Sequence, residues 1–141
     1  MYIPRIYTRQ IVDKLKTGNK AVIIYGPRQA GKTTLAKEVA GILGFKTLYI
    51  NADEKKYLDV FSAGDLDKMR GVAQGYNMLL VDEAQRIPEI GINLKIIIDG
   101  MPELKLLVTG SSSFDLAAKV SEPLTGRAHQ TGAYLSLQAL F

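Results

Sequence analysis

The stretch Ala21-Val22-Ile23-Ile24-Tyr25, followed directly by Gly26-Pro27-Arg28-Gln29-Ala30-Gly31-Lys32-Thr33-Thr34, decides how this chain is read. Its first part is a continuous apolar run, the pattern of a strand buried on both faces of a parallel sheet. Its second part fits G-x-x-x-x-G-K-[ST], and from Lys32 onward Leu35, Ala36, Val39, Ala40 and Leu43 recur at helical spacing until Gly44. Strand, glycine loop and helix in that order are the context in which the pattern cradles phosphate. The glycines let the backbone wrap closely and turn successive N–H groups inward, and the helix N-terminus adds the positive end of its dipole. Lys32 supplies a mobile cation for the outer phosphates, and the Thr33 hydroxyl is placed to ligate Mg²⁺. A chance match to the pattern in a chain of this length is on the order of 1%. The plain alternative is an ordinary Gly-rich turn before a helix.

Outward from this stretch, strands and helices alternate. Residues 4–17 open on Pro4 and carry Tyr7, Ile11, Val12 and Leu15 at helical spacing. Thr47-Leu48-Tyr49-Ile50 reads as a second strand, closed by the polar run Asn51 to Lys56. Tyr57 to Gly71 reads as one helix, with Gly64 an unfavourable residue in its middle. Met78-Leu79-Leu80-Val81 is a third buried-type strand running into Asp82-Glu83, and Pro88 can start a helix carrying Ile90, Leu94, Ile97 and Ile98. Leu104 to Val108 is a fourth strand closed by Thr109-Gly110-Ser111-Ser112-Ser113. A helix over 113–120 and a fifth strand over 128–137 complete the pattern. Units of about 30 residues predict parallel βαβ winding with helices on both sheet faces, and ligands in such sheets bind at the carboxyl ends of the strands. Three of those ends carry chemistry.

Asp82 follows four apolar residues at one such end, where a carboxylate is held rigidly beside the phosphate loop and can hold a Mg²⁺-bound water. Glu83 beside it is of the right type to orient and deprotonate a water for attack on a γ-phosphate. Capping of the strand by two acidic residues is the bland reading. A hydroxyl of Thr109 or Ser111 could hydrogen-bond the attacking water or the γ-phosphate, while a helix N-cap explains Ser112 or Ser113 equally well. Arg127, in Leu124-Thr125-Gly126-Arg127, could neutralise transition-state oxygens in cis or from a neighbouring subunit, against the commoner fate of an arginine at the surface. His129, the only histidine, lacks a partner in the pattern and reads as structural.

Composition narrows the rest. In 141 residues, 47% are hydrophobic and 23% charged, which excludes disorder and leaves one domain able to bury a core without staples. The absence of cysteine excludes disulfides, thiolate metal sites and cysteine nucleophiles. Apolar stretches run only a handful of residues, far short of the roughly 20 that span a bilayer, so a cytoplasmic protein without membrane contact is expected. The net charge of +4 permits a polyanionic partner without demanding one, and scattered aromatics do not form a nucleic-acid stacking platform.

Taken together, Gly26 to Leu35, Leu80-Val81-Asp82-Glu83-Ala84-Gln85, Thr109 to Ser113 and Leu124 to Arg127 resemble the prokaryotic AAA-type ATPases that carry a C-terminal domain of uncharacterised function. The resemblance implies a three-layer P-loop NTPase fold of the additional-strand type, with an N-terminal helix and a five-stranded parallel sheet in the order 5-1-4-3-2. It implies one ATPase domain over 1–141, divided into a helical segment 1–19, a core 20–137 and, at 138–141, the start of a truncated extension, because family members continue into a second domain. ATP and Mg²⁺ are the implied ligands. Gly26, Pro27, Arg28, Gln29, Ala30, Gly31, Lys32, Thr33 and Thr34 would bind nucleotide, and Thr33 and Asp82 the metal. Glu83 would activate water, Lys32, Thr109 or Ser111 would contact the γ-phosphate, and Arg127 is a finger candidate. Mg²⁺-dependent ATP hydrolysis is the leading expectation. A nucleotide-dependent nucleic-acid-binding module with little turnover, and a P-loop kinase, are the alternatives. The partner stays open between a second copy of the chain, a nucleic acid and another protein.

Overall fold

The computed structural model describes residues 5–17, 21–25, 31–110 and 134–137. Helix α1 (Arg5–Thr17) precedes strand β1 (Ala21–Tyr25), and helix α2 (Lys32–Leu43) follows it. Strand β2 (Thr47–Asn51), helices α3 (Lys55–Phe61) and α4 (Leu66–Ala73), and strand β3 (Met78–Asp82) come next. A single 3₁₀ turn (Ala84–Arg86) leads to helix α5 (Ile90–Gly100) and strand β4 (Lys105–Gly110), and strand β5 (Tyr134–Leu137) is the last described element.

Strands β2, β3, β4 and β1 lie side by side in that order, all parallel, and β5 runs parallel to β1 along its other side, giving β2-β3-β4-β1-β5. The three carboxyl ends that carry chemistry are thereby set side by side: β3, ending at Asp82, pairs with β4, which carries Thr109, and β4 pairs with β1, which leads to the glycine loop.

Alternation along the strands divides the core into two layers. Ala21, Ile23, Leu79, Val81, Leu106 and Val108 face a cluster shared with Phe61, Met69, Leu94 and Ile97 from α3, α4 and α5. Their neighbours Val22, Ile24, Met78, Leu80 and Leu107 face the opposite cluster, with Ile11, Val12 and Leu15 of α1 and Leu35, Ala36 and Val39 of α2. A period of two with apolar residues at both phases is what a sheet covered on both faces requires. Each fully buried Leu or Ile contributes about 1.5–3 kcal/mol by leaving water, so these two clusters hold the strand ends in fixed relation.

Three expectations need adjusting. The single helix over Tyr57–Gly71 is two helices, because Gly64 adopts φ 67 between them, Asp65 caps α4 by accepting from the Asp67 and Lys68 N–H groups, and the chain turns there. Helix α5 starts at Ile90 rather than at Pro88. The fourth strand extends to Gly110, so Thr109 lies within the sheet, opposite Ile24, and not in a loop after it. Of the strand expected over 128–137, residues 134–137 are described; the helix expected over 113–120 lies outside the described residues. Among the described residues no helix is long and apolar enough to cross a membrane.

Candidate functional site

The site forms around one carboxylate. Asp82 ends the central strand β3, is 7% exposed, and receives three hydroxyls from three different elements. Thr33, in the first turn of α2, donates to Oδ1 at 2.8 Å; Thr109 of β4 donates to the same oxygen at 2.5 Å; Tyr49 of β2 donates to Oδ2 at 2.9 Å. A carboxylate taken this far from water needs such donors, since an unsatisfied buried charge costs several kcal/mol.

Thr109 is completely buried and works in two directions. Its single hydrogen goes to Asp82, and its oxygen accepts the Glu83 N–H at 3.2 Å. The hydroxyl therefore addresses the two acidic residues themselves. Glu83 sits immediately past the strand in the left-handed region, φ 58 and ψ 46, a conformation that costs a non-glycine residue about 1–2 kcal/mol. That turn lifts its side chain out of the strand's alternation, and Gln85 Nε2 donates to Glu83 Oε2 at 2.7 Å. Alongside, Arg86 pairs with Asp53 at 2.7 Å and the Ala52 N–H donates to the Asp82 carbonyl, so the segments that follow β2 and β3 are tied together.

Gly31 precedes α2 at φ 89, a left-handed value suited to glycine, and no side chain caps this helix. Its first-turn N–H groups are accordingly of the kind that anions satisfy. Thr33 gives its hydrogen to Asp82, which leaves the Oγ1 lone pairs for a cation, and this pair of oxygen donors would suit a hard, oxygen-seeking ion such as Mg²⁺. Thr34, one residue on, is exposed. Gly26, Pro27, Arg28, Gln29, Ala30, Ser111, Arg127 and His129 lie outside the described residues.

Two participants escape a reading of the sequence. Tyr49 stands opposite Leu80 in the β2–β3 register, two residues short of the Asn51–Asp82 pair, and thus on the same sheet face as Asp82. Burial, then the hydrogen bond and the negative charge of Asp82, push its hydroxyl up to about 12. Period-two alternation in β2 marks Tyr49 as facing one side of the sheet, but only the register brings it to Asp82. Gln85 offered a weaker signal, its position two residues after Glu83.

A parallel sheet covered on both faces, a glycine-led helix after β1 and an acidic residue at the end of β3, with β4 lying between those two strands, fit a P-loop NTPase core of the AAA type, an ATP-binding class. Residues 18–137 match the AAA_14 family model, described as AAA domain, and the chain belongs to that family. An uncharacterized protein of Mycobacterium tuberculosis is 35% identical over 108 residues, covering 75% of this chain and 23% of its own length. The chain thus spans about a quarter of the curated relatives it matches. Among solved structures, the replication initiator DnaA bound to AMPPCP and single-stranded DNA superposes with a TM-score of 0.64 at 18% identity, covering 95% of this chain and 44% of that one. The Thermotoga maritima RuvB Holliday junction branch migration motor gives 0.61 at 21% identity, covering 96% of this chain and 45% of that one. These two likenesses concern the fold.

Proposed function

We propose that this chain binds ATP with Mg²⁺ and hydrolyses it, water being the acceptor. The observation that carries the reading is the convergence of Thr33, Thr109 and Tyr49 on Asp82, with Glu83 as the next residue, at the carboxyl end of the sheet. The loop Gly26 to Gly31 and the first turn of α2, through Thr34, would bind the phosphates with Lys32. Thr33 and Asp82 would hold Mg²⁺, which when bound spreads the charge of the phosphate oxygens. Glu83 would take a proton from water as its oxygen bonds to the γ-phosphorus and the bond to the β-phosphate oxygen breaks, releasing ADP and phosphate. Thr109, bridging Asp82 to the Glu83 N–H, would report the γ-phosphate through both acidic residues; Ser111 would contact it directly, and Arg127 would stabilise the transition state in cis or from a second copy. In this reading 1–141 belong to a single ATPase unit, with Tyr134–Leu137 the integral fifth strand of an additional-strand sheet ordered 5-1-4-3-2.

Phosphate release from ATP with and without Mg²⁺ tests the reading. Glu83→Gln should keep ATP binding and lower turnover by about 10²–10⁴-fold, and unchanged turnover removes Glu83 from the base role. Dependence of specific activity on protein concentration tests completion of the site by a second copy. A second reading, a nucleotide-dependent nucleic-acid-binding module with little turnover, draws on the net charge of +4 and on the DnaA neighbour captured with single-stranded DNA. Binding to single-stranded DNA at several salt concentrations, with and without ATP, should then show a steep salt slope. A P-loop kinase would instead pass phosphate to an added acceptor.

A further inference from the structure

We infer that Tyr49 is a positioning residue for the metal site: its hydroxyl fixes the Asp82 carboxylate in the orientation that holds the Mg²⁺ of bound ATP. The inference rests on the reading of Asp82 as the Mg²⁺-holding residue. The other two hydroxyls at Asp82, those of Thr33 and Thr109, both reach Oδ1, so among the described residues the hydroxyl grip on the second oxygen, Oδ2, comes from β2. Tyr49 is that grip, at 2.9 Å. Its ring is itself anchored, because Lys37 Nζ lies 4.7 Å from the ring centroid. Lys37 is one turn beyond Thr33 on α2, so a single helix face presents Thr33 to Asp82 and Lys37 to Tyr49. The edge strand β2 and the helix after the phosphate loop thus meet on the same carboxylate. A tyrosine suits this place: its rigid ring spans from the edge strand toward the end of β3, and its hydroxyl has one hydrogen to give, which Asp82 takes.

Partners that orient metal-holding side chains govern metal affinity, and their loss typically weakens it about 10–100-fold. Tyr49→Phe deletes the hydroxyl and keeps the ring under Lys37. In the full chain, with a fluorescent mant-ATP probe, the variant should require about tenfold more Mg²⁺ for half-saturation of the metal-dependent signal, while its mant-ATP affinity in EDTA stays within twofold of wild type. An unchanged Mg²⁺ requirement overturns the inference, as does equal loss of metal-free and metal-dependent binding, the result of a merely structural role. The wild type supplies a measurement that does not depend on the variant folding. The chain has 7 Tyr and no Trp, so adding Mg²⁺ to the ATP-loaded protein should produce a tyrosine absorbance difference as Asp82 engages the ion; its absence also overturns the inference. Wild-type protein that binds no ATP with or without Mg²⁺ overturns the function proposed above and this inference with it. Mg²⁺-dependent wild-type binding with an indifferent Tyr49→Phe removes the inference alone.

Discussion

Thr109 shows how much one hydroxyl can organise. It donates to Asp82 and accepts from the Glu83 N–H, so Thr109→Val deprives a buried carboxylate of one donor and leaves a backbone N–H without its acceptor. The expected cost is about 1–3 kcal/mol in urea unfolding, with Thr109→Ser much closer to wild type; equal losses in the two variants would point to the methyl group instead. Tyr49 adds a pH signature. Its hydroxyl titrates at about 12 in the fold, above the ordinary 10.0, so the folded state favours the protonated form. The corresponding stability is fully present below pH 10.0 and is lost as pH rises toward about 12. Urea midpoints across that window should fall more steeply for wild type than for Tyr49→Phe, and parallel curves would contradict the raised value.

Elements, by contrast, are governed by backbone geometry. The break between α3 and α4 turns on Gly64, whose φ of 67 suits glycine and whose N–H donates to the Asn93 side chain at 3.0 Å. Space around a Cβ at this position is open, so Gly64→Ala tests the dihedral alone. A loss of about 1 kcal/mol by chemical denaturation is expected, the left-handed penalty being partly offset by a stiffer unfolded chain. Asn93 shows why the break is held. It is 2% exposed, accepts from Gly64, and donates to the Pro88 and Glu89 carbonyls, joining the α3–α4 turn to the entrance of α5. One long helix could not have supplied the Gly64 N–H to that partner. The Tyr57–Gly71 periodicity was legible, and the turn within it was a weak signal because glycine in a helix is only about 1 kcal/mol worse than alanine.

For the whole molecule, the two core layers fix where the strands end, and the site is the sum of those ends. A ligand that binds this assembled site and not the unfolded chain must stabilise all of it. At a concentration of ATP·Mg²⁺ one hundred times its Kd the gain is about 2.7 kcal/mol, and a rise in melting temperature that disappears in Lys32→Ala is the expected outcome. A wild-type melting temperature indifferent to ATP·Mg²⁺ would sink the nucleotide-binding reading.

The strands β1 to β4, the helix after the glycine loop and the acidic end of β3 were legible from order and periodicity, because apolar spacing, glycine placement and a strand running into Asp82-Glu83 are local properties of the chain. The 1-4-3-2 order of those strands came from resemblance, since nothing in spacing alone says which strands are neighbours. The convergence on Asp82 belongs to tertiary structure. Thr33, Tyr49 and Thr109 lie 49, 33 and 27 residues away from it, and only strand register and the seat of α2 on the sheet bring three hydroxyls to one carboxylate. The left-handed turn at Glu83 is of the same kind: a local propensity argues against it, and contacts made from β4 and Gln85 accompany it. Hydrogen-bond partners are chosen by distance in space, which a linear order of residues does not contain.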